Sequence, residues 1–172
     1  MAPRIYLAGP DVFYKDPMAQ CAELKALCAA NGCEGVFPMD AGLDIASMSK
    51  HEAARAIYQA NIEMIDSCDG IIANMEMFRG PGMDGGTAFE MGYGVAKAIP
   101  VVGYGITENY LKRCQAYYGE LEPSHGLQFD PKGLMVEDFD LLDNLMMACG
   151  AQAIVETAEE AVKYLSRLCV TD

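Results

Sequence analysis

Apolar runs of β length alternate along the chain with stretches of helical period. "RIYLAG" at 4–9 is followed, from about Pro17 to Asn31, by a pattern that sets Met18, Cys21, Leu24, Leu27 and Cys28 on one helical face. "GVFP" at 35–38 reads as a second strand. After a polar loop, residues 52–68 space Ile57, Ala60, Ile62, Met64 and Ile65 as a helix, and "GIIANM" at 70–75 returns to a strand. A helix over 86–98 leads into "IPVVGY" at 99–104. Residues 106–138 are rich in Tyr, Gly and Pro with weak period, and read as an irregular excursion holding one short helix. "DFDLLDNLMMACG" at 138–150 is helical again, "QAIVET" at 152–157 is a fifth strand, and 158–169 is a closing helix capped by Thr157. Repeated strand and helix units of this kind predict an α/β sandwich, a five-stranded parallel sheet with helices on both faces.

Composition narrows what such a sheet can serve. A chain of 172 residues is expected to form one domain over 1–172. Its formal net charge of -13, from 25 acidic and 12 basic residues, repels nucleic acids and anionic membranes and leaves small neutral ligands as the natural partners. No apolar stretch approaches the ~20 residues of a membrane span and the amino terminus carries no export signal, so a cytoplasmic protein is expected. The seven cysteines include no CxxC pair and only His51 and His125 could join them, which argues against a metal site. The cysteines are expected to be reduced and buried, and the two histidines to be ordinary surface residues.

A parallel sheet binds ligands beyond the carboxyl ends of its strands. That rule selects "AGPDVFY" after the first strand, "PMDAGLD" after the second and "MEMFRGPGMDGGT" after the third, whose side chains are expected to converge on one crevice. Gly80, Gly82 and Gly85 match a GxGxxG spacing, but the loop does not follow the first strand and Asp84 would face the pyrophosphate, so dinucleotide binding is disfavoured. The glycines then serve turns and close approach of a small neutral ligand. Asp84 and Glu90, six residues apart on the loop and the following helix, can reach opposite ends of one substrate bond. One carboxylate attacks carbon while the other manages a proton, as in retaining glycosyl transfer. Against this stands a plain alternative, in which Asp84 caps the helix and Glu90 lies on a solvated face.

"IYLAGPDVF" at 5–13, "NIEMIDSCDGIIANM" at 61–75, "FRGPGMDGGTAFEMGYG" at 78–94 and "VEDFDLLDNLMM" at 136–147 together resemble the nucleoside 2-deoxyribosyltransferases, in the family's order and over nearly the full length. The resemblance implies a flavodoxin-like, Rossmann-like fold, a homo-oligomer, and exchange of the base of a 2'-deoxyribonucleoside for a free nucleobase by double displacement without cofactor or metal. By motif, Glu90 matches the nucleophile, Tyr6 the tyrosine that holds it, and Asp84 the acid that gives a proton to the departing base and takes one from the incoming base. Asn61 stands where some members carry a base-contacting aspartate; an amide still reads a base edge but cannot carry the proton. Phe13 resembles an aromatic that stacks on the base, with a core role as the alternative. Asn144 matches a residue that enters the neighbouring subunit's site at the 5'-hydroxyl end of the sugar, which implies shared active sites.

Gly9 in the first loop joins the binding candidates, with Asp11 and Asp40, which either bind sugar hydroxyls or satisfy turn backbone, the latter favoured. Arg79 is placed to pair with Glu76 or Asp84. Two rival functions are set beside base exchange. One is an N-glycosidase (hydrolase) of 2'-deoxynucleoside 5'-monophosphates, disfavoured because the first loop offers Asp11 and no cation before Lys15. The other is a noncatalytic nucleotide-sensing module, disfavoured because two carboxylates in a binding crevice carry a desolvation cost that a neutral ligand does not require.

Overall fold

The computed structural model describes residues 1–169. Five parallel strands form the main sheet: β1 (Arg4–Ala8), β2 (Glu34–Val36), β3 (Gly70–Asn74), β4 (Val101–Tyr104) and, last in the chain, β8 (Ala153–Val155). Their spatial order is β2-β1-β3-β4-β8, so the direction of winding reverses between β1 and β3. This is the five-stranded parallel α/β architecture expected, and its switch point lies beyond the ends of β1 and β3.

Alternation along the strands sends side chains to two cores. Ile5 and Leu7 of β1, Ile72 of β3 and Val102 of β4 pack with Cys21, Leu24 and Cys28 of α1 (Pro17–Ala30) and Ala161, Val162 and Leu165 of α6 (Ala158–Cys169). Tyr6 and Ala8, Ile71 and Ala73, and Val101 face the other way, onto Ile65 of α2 (Lys50–Asp66), Met91 of α3 (Gly85–Ala96) and Met147 of α5 (Leu145–Gly150). Tyr6 is therefore committed by strand register to the face that carries α3.

The helix expected over 52–68 is present as α2, with Ile65 buried while Ile57 and Tyr58 are 41% and 52% exposed. Two expectations need correction. The helix expected over 138–150 begins only at Leu145, because Asn144 caps it by accepting from the Met146 amide and Asp143 is drawn into a buried ion pair. The excursion is more ordered than its composition suggests, with α4 (Tyr110–Tyr118) and an antiparallel sheet of β5 (Glu122–Ser124), β6 (Leu127–Phe129) and β7 (Met135–Val136). Five cysteines are buried as expected, whereas Cys149 is exposed on α5 and Cys169 is half-buried. His51 and His125 are exposed.

Candidate active site

Glu90 and Tyr6 meet where α3 crosses β1. Tyr6 is fully buried, and its hydroxyl donates to Glu90 Oε1 at 2.8 Å. Burial pushes the Glu90 carboxyl up to about 7; the Tyr6 hydrogen bond works in the opposite direction, and the nearby Asp84 charge adds a smaller upward push. Burial first, then the Glu90 charge, holds the Tyr6 phenol far above its ordinary range, so it remains a donor. With Oε1 engaged, Oε2 is the oxygen left for chemistry.

The Glu90 side chain lines a cavity of about 350 Å3 between α2 and α3, together with Ala54, Tyr58, Asn61, Gly86 and Phe89. Asn61 contributes a buried Oδ1 that has no hydrogen-bond partner among the described residues. A buried acceptor left without a donor is costly, so this oxygen is suited to an N–H arriving with a ligand. Tyr58 and Phe89, with ring centroids 6.1 Å apart, bring an aromatic wall to the same cavity. Neither was singled out in the sequence, although Phe89 is the neighbour of Glu90 and Tyr58 sits one helical turn before Asn61.

Asp84 is the N-cap of α3: Oδ2 accepts from the Thr87 amide and from Thr87 Oγ1, both at 2.9 Å. The capping alternative is thus present in the structure, but it occupies one oxygen only. No side chain fills the space that a Cβ would take at Gly80, Gly82 or Gly85, and the left-handed position of this loop belongs to Arg79, with φ 55°, rather than to a glycine. Turn geometry therefore does not account for these three glycines.

The first and third loops do meet, through Phe13 stacked on Phe78 at 5.3 Å between ring centroids. Phe13 is 59% exposed, which removes the core alternative for it. Arg79 makes no ion pair with Glu76 or Asp84; its guanidinium lies 4.6 Å from the Phe78 centroid and 5.7 Å from that of Phe13. Gly9 is required where it stands, because a Cβ there would come within 2.2 Å of Asp11 Oδ2 and 2.9 Å of Asn74 Cβ. Asp11 is buried and accepts from Asn74 Nδ2 at 3.3 Å, a partner across the sheet that a turn role does not include, and burial raises its pKa. Asp40 does fit the turn role: it accepts from the Phe37 amide at 2.9 Å and from Lys25 Nζ at 2.7 Å. Asn144 Nδ2 donates to Glu137, whose other oxygen accepts from the Leu145 amide at 3.0 Å. Among the described residues no group of three or more His, Cys, Asp or Glu side chains could hold a metal ion, and no helix is long and apolar enough to cross a membrane.

Comparison with known proteins shows the family. A 2-desoxiribosyltransferase from Leishmania mexicana is 32% identical, with a TM-score of 0.74 over 96% of this chain and 97% of that one. A 2-deoxyribosyltransferase from Bacillus psychrosaccharolyticus, 18% identical over 94% and 91% of the two chains, shares the fold at a TM-score of 0.60. An uncharacterized protein of Schizosaccharomyces pombe is 32% identical over 94% of this chain and 85% of its own. The family model for nucleoside 2-deoxyribosyltransferase matches residues 5–146, which include β1 with Tyr6, the capped start of α3 and Glu90, and the Asn144 cap; the chain belongs to that family.

Proposed function

We propose that the protein exchanges the base of a 2'-deoxyribonucleoside for a free nucleobase by double displacement through Glu90. In the first half, Glu90 Oε2 attacks C1' of the deoxyribose, the C1'–N bond breaks, and its electron pair leaves with the base, which takes a proton from Asp84. Asp84 Oδ1 is the oxygen that hands the proton over, since Oδ2 accepts from both Thr87 groups. In the second half, a ring nitrogen of the incoming base attacks C1', gives its proton to Asp84 and releases Glu90. Tyr6 positions Glu90, Asn61 Oδ1 accepts an N–H of the base, and Phe13 offers an aromatic face beside it, with Gly9 and Asp11 shaping the strand ends. Asn144 completes a neighbouring subunit's site in a homo-oligomer.

The supporting observation is the hydrogen bond from the buried Tyr6 to the half-buried Glu90, opening on a cavity that also holds the unpaired Asn61 oxygen. A carboxylate and an unmet acceptor side by side, with aromatic walls, suit a neutral nucleoside. The test is chromatography of deoxyinosine with free adenine, and of thymidine with free adenine, after incubation with the protein. Appearance of deoxyadenosine in either mixture is expected; free base without a new nucleoside would mean hydrolysis, and no change would reject both.

Hydrolysis of a deoxynucleoside 5'-monophosphate is a second reading. It is favoured by Arg79, a cation in the third loop that makes no ion pair with a carboxylate among the described residues. Deoxyinosine 5'-monophosphate run in parallel decides it.

The role of Asp84 is separable from its cap, because Asn caps a helix as well as Asp does. Asp84→Asn is expected to lose most of its rate on deoxyinosine and to retain a larger share on a deoxynucleoside of a quaternised purine, whose base leaves without a proton. Equal losses on the two would leave Asp84 a cap alone.

A further inference from the structure

Arg113, on α4, is 5% exposed, unusual for a guanidinium, and its hydrogen bonds all run inward. Nη1 donates to the Pro81 carbonyl at 2.6 Å, and Nη2 donates to Asp143 Oδ2 at 2.7 Å and to the Leu142 carbonyl. Asp143, 2% exposed, uses its other oxygen to accept from the Asn144 amide at 2.7 Å. One side chain from the excursion thus grips the third loop three residues before Asp84 and, through Asp143, the residue that caps α5.

The grip is poorly explained as a device for stability. A buried ion pair is often matched by an apolar pair of the same volume. This one also leaves Arg113 Nε buried without a partner. What an apolar pair cannot reproduce is the fork, which fixes three acceptors on two segments at once. The loop needs such a grip: it carries Gly80, Gly82 and Gly85, and its internal backbone bond runs from the Phe78 amide to the Gly82 carbonyl at 2.9 Å.

We infer that Arg113 is a positioning residue for the base exchange proposed above, setting Asp84 relative to Glu90 by holding the Pro81 carbonyl in register with Asp143 and Asn144. It rests on that function for its consequence in rate, and on the contacts alone for its consequence in loop order.

Two variants separate position from charge. Arg113→Lys keeps a cation for Asp143 but lacks the fork; Arg113→Met combined with Asp143→Asn leaves no charge buried alone. Each is measured for kcat and KM on deoxyinosine and on the quaternised purine deoxynucleoside, and for amide hydrogen exchange over residues 76–84. On deoxyinosine kcat is expected to fall on the order of 100-fold with KM little changed, the effect of a small misplacement of a catalytic group. The loss on the quaternised substrate is expected to be much smaller, and adding Asp84→Asn to Arg113→Lys to cost little more, because both changes remove one proton transfer. Amides over 76–84 are expected to exchange faster while those of β1 and β3 stay protected. Equal losses on the two substrates with full additivity to Asp84→Asn, or loop amides that exchange as in the wild type, would overturn the assignment. If the double variant does not fold, Arg113→Lys carries the comparison. A wild-type protein that forms deoxyadenosine from neither donor would sink the proposed function, and loop exchange alone would then uphold or overturn the grip.

Discussion

Glu90 is asked to be an anion in a place that resists anions. Its carboxyl titrates at about 7, pushed there by burial, while the Tyr6 hydroxyl pulls it down. As the proposed nucleophile it must be ionised, so kcat/KM on the quaternised purine deoxynucleoside, whose base leaves without the Asp84 proton, is expected to rise with pH and level off above about 7. Tyr6→Phe removes the one group that favours the charged form, and the rise should move to higher pH; a profile that stays in place would end the positioning role of Tyr6. Stability carries the opposite sign. Between about 4.5 and 7 the folded carboxyl keeps a proton that the unfolded chain has released, so stability falls as pH rises through that window and stays low above it. At about 1.4 kcal/mol per pH unit, the loss is of order 3 kcal/mol. Glu90→Gln keeps an acceptor for Tyr6 and escapes this loss. It is expected to be inactive, to melt above the wild type at pH 8, and to show no such advantage at pH 5. Unfolding scans at the two pH values check the sign, and an advantage confined to pH 5 would contradict it.

At the scale of elements, α3 is what brings Glu90 to Tyr6, and its seat on the sheet depends on Gly94. A Cβ there would stand 2.4 Å from Ile71 Cδ1 and 3.1 Å from Val101 Cγ2, two fully packed strand residues. Gly94→Ala gains up to about 1 kcal/mol in helix propensity. Overpacking costs about 1–3 kcal/mol, so a net loss near 1 kcal/mol is expected. Glu90 lies one turn before Gly94, so the same shift should loosen its hydrogen bond to Tyr6; a lower melting temperature and a lower kcat together would report it, and a stabilised, fully active variant would refute it. The five strands of the sheet were legible because each is an apolar run bounded by polar or glycine positions. The excursion was not, since β5 to β7 have three residues or fewer and their hairpin turns on His125 and Gly126, both at positive φ, in place of the more usual Asn-Gly. The 138–150 helix was overextended for a related reason. Leu141 and Leu142 keep a helical spacing, but Asp143 is claimed by Arg113 from another segment, a contact that no local pattern announces. Of the candidate site, the pairing of Tyr6 with Glu90 was legible from motif alone, whereas the unmet oxygen of Asn61 and the wall of Tyr58 and Phe89 exist only once α2 and α3 lie side by side.

For the whole molecule, the placement of Asn144 argues for shared sites. α5 packs on α3 along Ala88, Met91 and Val95, which with Leu145, Met146 and Cys149 line an apolar groove of about 350 Å3. At 100° per residue those three α3 positions lie roughly 100–160° around the helix from Glu90, so α5 occupies the side of α3 turned away from the Glu90 carboxyl. The proposal that Asn144 meets a sugar bound in another copy's site rests on this placement. The surface suits one: Met146 is 73% exposed beside the groove, and α2, at the site itself, presents Ile57 and Tyr58 outward. Asn144 is held ready by Glu137 and by the cap, so a partner would meet it in one orientation. If each site draws Glu90 from one chain and Asn144 from another, Glu90→Ala and Asn144→Ala chains, each impaired alone, should rescue one another. Mixed, unfolded and reassembled, they form some sites with both residues intact, and activity should rise above the mean of the two parents. A mixture that stays at that mean, with hybrid oligomers seen by native mass spectrometry, would place Asn144 in its own subunit's site or in none.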